Sequence, residues 1–139
     1  MPDAERVVLD FYEAWSRLDV NELMGYFADA AAWDNVPLGV VKGAPAIRAL
    51  LDFMISDWTR DAKVHFEVSH IASKGNRVFT ERVDRVESLG RRVDLPVAGV
   101  FEIEDGKITL WRDYFDYQTY RQSMPRRSEP PASVLEAIQ

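Results

Sequence analysis

Apolar residues at Val7, Val8, Phe11, Tyr12, Trp15 and Leu18 fall three and four apart, the spacing of one helical stripe, so the chain opens with a helix over Asp3 to Leu18 with Asp3 placed to cap it. Asp19-Val20-Asn21-Glu22 then has the acid-x-x-Glu form of a capping box ahead of Leu23, Met24, Tyr26 and Phe27, which predicts a second short helix ending near Ala28. Ala31 to Asn35 is short and half apolar, and Val36-Pro37-Leu38-Gly39 closes it with a turn. This reads as a brief strand with Trp33 and Asn35 on one face. From Pro45 the positions Ile47, Leu50, Leu51, Met54 and Trp58 repeat at helical spacing, and proline near the first helical position is well tolerated, so a third helix follows.

After Asp61 the period changes from that of a helix to that of a strand. Val64 to Ile71, Arg77 to Ser88, Arg92 to Glu104 and Lys107 to Phe115 alternate, with turn signals at Lys74-Gly75-Asn76, Leu89-Gly90 and Asp105-Gly106. Four strands in succession predict an antiparallel meander, and helices followed by a meander predict an α+β fold with a curved, mostly antiparallel sheet packed on the helices. Tyr117 to Met124 is expected as a last short helix. Pro125 to Pro131 breaks regular structure, so the domain is expected to span 1–124 and a C-terminal tail 125–139. Val134, Leu135 and Ile138 have helical spacing for docking, and the tail is given no role in chemistry.

Composition narrows the partners. The length of 139 residues fits one domain, and sixteen aromatics (Trp 4, Tyr 5, Phe 7) are enough to line a cavity as well as fill a core. A net charge of −6 argues against nucleic acid, which needs a basic face to release counterions. No apolar run approaches the length that spans a bilayer, so no membrane role is expected. Zero cysteines remove disulfides and thiolate chemistry, which fits a cytoplasmic protein.

The candidate chemistry begins on the second strand of the meander. Thr80, Arg82, Asp84 and Val86 share one face, because side chains two apart point the same way, and Phe79, Glu81, Val83, Arg85 and Glu87 share the other. On the last strand the face of Trp111, Asp113 and Phe115 is apolar except for Asp113. If both faces line one cavity, the Arg82 guanidinium can bridge Asp84 and Asp113, a bidentate task that suits its fork geometry. Two carboxylates around one arginine can be driven apart in pKa, one neutral as proton donor and one ionised as base. Asn35 offers a donor and an acceptor to a water in that cavity, and Trp33 an indole N–H. Taken singly, each of these residues is more often structural. His65 and His70 are five apart on one predicted strand and so face opposite ways, leaving no histidine pair for a metal, and no phosphate loop or nucleophile elbow is present. Neither metal nor cofactor is expected.

At these residues the sequence resembles the limonene-1,2-epoxide hydrolases, a family within the cone-shaped NTF2-like or SnoaL-like superfamily. Thr80-Glu81-Arg82-Val83-Asp84 resembles the family's Arg-x-Asp strand, Gly99-Val100-Phe101 with Gly106-Lys107-Ile108-Thr109 its following hairpin, and Trp111-Arg112-Asp113-Tyr114-Phe115-Asp116 its closing motif. The Asn35-x-Pro37-Leu38 segment fits as well, and the likeness runs from about Tyr12 to Met124. The resemblance implies Asp113 as general base, Arg82 as bridge, Asp84 as general acid and Asn35 as a holder of water. Trp33 stands where the family has a second water-holding residue, a tyrosine. It also implies a homodimer through the outer sheet face that carries Phe79, Val83 and Arg85.

The expected function is therefore cofactor-independent, one-step hydrolysis of a hydrophobic epoxide to a vicinal diol, with Met54, Trp58, Val86, Leu95, Val97 and Phe115 as the apolar wall. Two rivals share the fold. An isomerase or polyketide-type cyclase would use a single acid, against which the paired carboxylates argue. A non-catalytic module would hold an apolar ligand and use the acids as a buried structural network.

Overall fold

The computed structural model describes residues 3–58, 61–88, 90–123, 136 and 138, with the backbone alone for 57 and 58. Helix α1 (Asp3–Ala14) ends short of Leu18 and buries Val8, Phe11 and Tyr12 of the expected stripe together with Ala14. A 3₁₀ turn over Trp15–Arg17 ends on Leu18 in the left-handed region (φ 50°). Helix α2 (Val20–Met24) starts where the capping box places it, with the Asp19 carboxylate accepting from the Glu22 backbone N–H at 3.2 Å.

Helix α2 stops at Met24 rather than near Ala28. Phe27 opens strand β1 (Phe27–Asn35), and the Tyr26 carbonyl accepts from the Ile108 N–H at 2.8 Å, so sheet pairing takes the residues that helical spacing had claimed. A second departure follows the bend. Leu38 N–H donates to the Asn35 carbonyl at 2.7 Å, and Gly39–Lys42 returns as strand β2 against β1, too short a run for alternation to reveal. Helix α3 (Ala44–Phe53) passes into a π-helical turn over Met54–Trp58.

Strands β3 (Lys63–Lys74), β4 (Arg77–Ser88), β5 (Arg91–Glu104) and β6 (Lys107–Tyr114) form the expected meander, and helix α4 (Tyr117–Ser123) follows. The sheet has six strands in the order β2-β1-β6-β5-β4-β3, with β1 parallel to β6 and every other neighbour antiparallel. A register shift between Val68 and His70 corrects the histidine expectation. His65 pairs with Arg85 and His70 with Glu81, two residues of the same outer face, so both histidines are turned to that face.

Inner-face alternation on β4 is strict, with Val78, Thr80, Arg82, Asp84, Val86 and Ser88 all buried. Against this face α1 lays Phe11, which meets Trp111 edge-on at 4.9 Å and Phe27 at 5.4 Å. Truncating a fully buried phenylalanine typically costs about 3–5 kcal/mol, so this ring is a main tie between helix and sheet. No helix among the described residues is long and apolar enough to cross a membrane.

Candidate active site

The sheet register places the polar cluster. Asn35 of β1 is the partner of Asp113 on β6, Asp113 of Gly99 on β5, and Gly99 of Thr80 on β4, so these four lie in one row across the inner face. Arg82 and Asp84 continue down β4, opposite Val97 and Leu95. Arg82 must cross β5 to reach Asp113, and it does so where the row has no side chain. A Cβ at Gly99 would stand 2.7 Å from Arg82 Nη1 and 3.0 Å from both Asp113 Oδ1 and Thr80 Oγ1.

The guanidinium is wholly buried and uses all five of its N–H groups. Nε donates to Asp84 Oδ1 at 2.6 Å and Nη2 to Asp84 Oδ2 at 3.2 Å. Nη2 also donates to Asp113 Oδ2 at 2.6 Å, and Nη1 to Asp113 Oδ1 at 3.0 Å. The remaining N–H of Nη1 donates to the Tyr12 hydroxyl at 2.8 Å. Each carboxylate is thus held bidentately, the arrangement that fixes orientation as well as distance. Asp113 accepts a third donor, the Trp111 indole N–H, at 2.8 Å.

Burial shapes the titration of this cluster. It opposes the Arg82 charge, yet Asp113 and Asp84 hold that pKa well above its ordinary value. Burial pushes Asp84 the other way for an acid, up from 3.8 to about 6, although Arg82 pulls it down. Burial also raises the Tyr12 phenol, so this hydroxyl stays protonated.

A cavity of about 130 Å³ opens onto the cluster, and Arg82, Asp84, Asp113, Asn35 and Trp33 all line it. The sequence-predicted wall residues Met54, Val86, Leu95, Val97 and Phe115 line it too. The side chain of Trp58 falls outside the described residues. Trp33 stacks flat on Trp111, 4.7 Å between centroids and 3° between planes, and its indole N–H is buried with no hydrogen-bond partner among the described residues. Trp33 is therefore placed as an aromatic wall that fixes Trp111, rather than as an exposed donor.

Sequence reasoning missed four residues that the geometry brings in. Tyr12 read as core, although a buried tyrosine needs a partner for its hydroxyl. Thr80 shares the Arg82 face and bonds Tyr12 at 2.8 Å. Gly99, inside a strand, carries the ordinary signal of a close approach. Ile138, given no role in chemistry, makes an antiparallel bridge to Val41 of the edge strand β2 and lines the cavity, and Glu136 before it is helical. Val134 and Leu135 lie outside the described residues. The helices, the curved open sheet and the apolar cavity with a polar floor define an NTF2-like, SnoaL-like α+β protein. An NTF2-like protein from Burkholderia pseudomallei K96243 matches this fold with a TM-score of 0.75 at 20% identity, over 89% of this chain and 98% of that one.

The chain belongs to the limonene-1,2-epoxide hydrolase family and is an epoxide hydrolase of that type, since the model of the limonene-1,2-epoxide hydrolase catalytic domain matches residues 2–126. It is 35% identical over 106 residues to the epoxide hydrolase EphG of Mycobacterium tuberculosis H37Rv, covering 76% of this chain and 68% of that protein. Its fold matches the structure of an M. tuberculosis LEH-like epoxide hydrolase with a TM-score of 0.75 and 31% identity, over 88% of this chain and 89% of that one.

Proposed function

We propose that the chain opens a hydrophobic epoxide to a vicinal diol in a single step. Asp113 removes a proton from water as the water oxygen attacks a ring carbon. The C–O bond breaks, and the ring oxygen takes the proton of Asp84. Asp113 ends protonated and Asp84 ionised, so a proton must return from one to the other before the next turnover. Arg82 keeps both carboxylates in place and balances the charge that moves between them. Asn35 orients the water, Trp33 and Trp111 back Asp113, and Met54, Val86, Leu95, Val97 and Phe115 select an apolar substrate.

The observation that carries this reading is the asymmetry of the two acids on one arginine. Asp84 is pushed up to about 6, toward the protonated form an acid needs, while Asp113 lies beside the carboxamide of Asn35. A single-acid isomerase has no use for the second bidentate carboxylate, and a binding module for an apolar ligand has no need of two clamped acids facing its cavity. The same reading takes the protein to be independent of cofactors and, having no cysteine, suited to a cytoplasmic compartment. It takes the outer sheet face that carries Phe79 (43% exposed), Val83 and Arg85 as a homodimer interface, and a monomer by sedimentation equilibrium would remove that part.

The test is diol formation from small cyclic and aryl epoxides by the wild type and by Asp113→Asn. The amide keeps the shape but cannot take the proton, so the variant should lose at least about a hundredfold, general base catalysis being worth about 10²–10⁴. A folded variant retaining more than about a tenth of the rate would take Asp113 out of the role of base.

A further inference from the structure

Among the described residues, helix α1 hydrogen-bonds to the polar cluster through one atom, the Tyr12 hydroxyl, and Tyr12 does not line the cavity. Tyr12, Thr80 and Gly99 are absent from the cavity lining, whereas Arg82, Asp84 and Asp113 face it. Arg82 can only donate, so the Tyr12 oxygen accepts from Nη1 and has Thr80 Oγ1 as its other partner. The Tyr12 ring, 3% exposed, also lies with its centroid 4.7 Å from the guanidinium carbon. On the opposite side the backbone of Gly99 leaves room for Nη1 and for nothing larger than hydrogen.

We infer that Tyr12 is a positioning residue for the reaction: with Thr80 beside it and Gly99 beneath, it forms a socket for the Nη1 end of Arg82 and so sets where the two carboxylates stand relative to each other. The inference rests on the acid and base roles proposed above. Four of the five guanidinium N–H groups go to the aspartates, and the strength of those bonds changes as the carboxylates exchange charge during turnover. The Tyr12 hydroxyl is neutral and remains so, and its bond to Nη1 does not change when protons move between Asp113 and Asp84. Of the guanidinium's hydrogen-bond partners it is the one that does not alternate in charge. Alignment matters because a displacement of the order of 1 Å at a reacting group can cost about a hundredfold in rate.

Tyr12→Phe keeps the ring, its contacts with Phe66 and Phe101 and the face toward Arg82, and removes only the acceptor. Its kcat for an aryl epoxide should fall about tenfold with KM within about twofold, because no atom that touches substrate has changed. Thr80→Val, which removes the other partner of the Tyr12 hydroxyl, should show the same split to a smaller extent. It serves in place of Tyr12→Phe should that variant not fold. Gly99→Ala should give the larger loss of kcat, since the new Cβ meets a guanidinium with no free direction to retreat. A Tyr12 that only packs the helix would lower the melting temperature and leave kcat unchanged, and this result overturns the inference. Asp84→Asn and Asp113→Asn are run alongside. If they retain turnover, the acid–base reading fails. If they are inactive and Tyr12→Phe keeps full kcat, the socket alone fails.

Discussion

Asn35 and Asp113 are register partners across the parallel pair of β1 and β6, and the Val36 N–H donates to the Asp113 carbonyl at 3.0 Å, so the backbone itself holds the carboxamide next to the acid. Among the described residues the Asn35 side chain has no hydrogen-bond partner, which leaves its donor and acceptor for water. With Trp33 stacked on Trp111 and its N–H buried, the proposed mechanism gives orientation of the water to Asn35 and Asp113. Asn35→Ala is expected to lower kcat about tenfold or more while leaving the apolar wall, and hence KM, nearly unchanged. An unchanged kcat measured at saturating epoxide would show that Asp113 positions water unaided.

The raised pKa of Asp84 has consequences for both rate and stability. Burial lifts it from 3.8 to about 6, and an apolar epoxide filling the cavity removes more water from it, pushing it further the same way. Turnover that needs protonated Asp84 should therefore fall on the alkaline side, with an apparent pKa of about 6 or somewhat higher. A profile flat from pH 5 to pH 9 would exclude Asp84 as the acid. For stability, a folded-state pKa raised above the unfolded value means that the folded chain binds the proton more tightly. This contribution is complete below about pH 4 and is lost as pH rises through about 6. Asp84→Asn removes it, so in paired urea titrations the difference between variant and wild type should change across that window and level off outside it.

How far these features could be read before the fold was known depends on whether they are local. The β4 face was legible because alternation is a property of neighbouring residues, and Arg82, Asp84 and Asp113 stood out as charges on apolar faces. That the three meet depends on β5 lying between β4 and β6, and on Gly99 being the residue that Arg82 crosses. Neither is a local property. Tyr12 lies 70 residues from Arg82 in sequence, and its stripe on α1 accounts for its burial but does not say which group meets its hydroxyl. Strand β2 and the early end of α2 were missed because pairing with β1 and β6 overrides weak local preference. The bulge between Val68 and His70 adds one residue to β3 and reverses the facing of everything beyond it, which a simple count of two cannot register.

Ile138 tests whether the C-terminal segment belongs to the substrate site. Its bridge to Val41 extends the sheet beyond its edge strand, and its side chain lines the same cavity as Leu38, Met54 and Tyr120. Removing wall area from the cavity takes away binding that substrate and transition state share, which raises KM and spares kcat. Ile138→Ala, and a chain ending at Ala137, are each expected to raise KM for a compact epoxide several-fold with kcat within about twofold. Equal KM values in all three proteins would leave the segment with no part in substrate binding.

The route by which oxygen enters the product separates the one-step mechanism from the alternative that carboxylates also permit. An aspartate can attack the epoxide carbon itself, giving an ester that water later cleaves. Here Asp113 accepts from Arg82 at two oxygens and from the Trp111 indole, and Asp84 accepts from Arg82 at both oxygens. A carboxylate whose lone pairs are engaged by three N–H donors is a weak nucleophile, and moving it toward carbon would break those bonds. A water beside Asp113 has no such restraint. A single turnover in ¹⁸O-water with enzyme in excess should therefore place the label in the diol, with inversion at the attacked carbon. The ester route would instead deliver unlabelled carboxylate oxygen to the first diol, and mass spectrometry of the protein would find the label in one of the two aspartates. Unlabelled first-turnover diol would make that aspartate a nucleophile and end the one-step assignment, while leaving the chain an epoxide hydrolase.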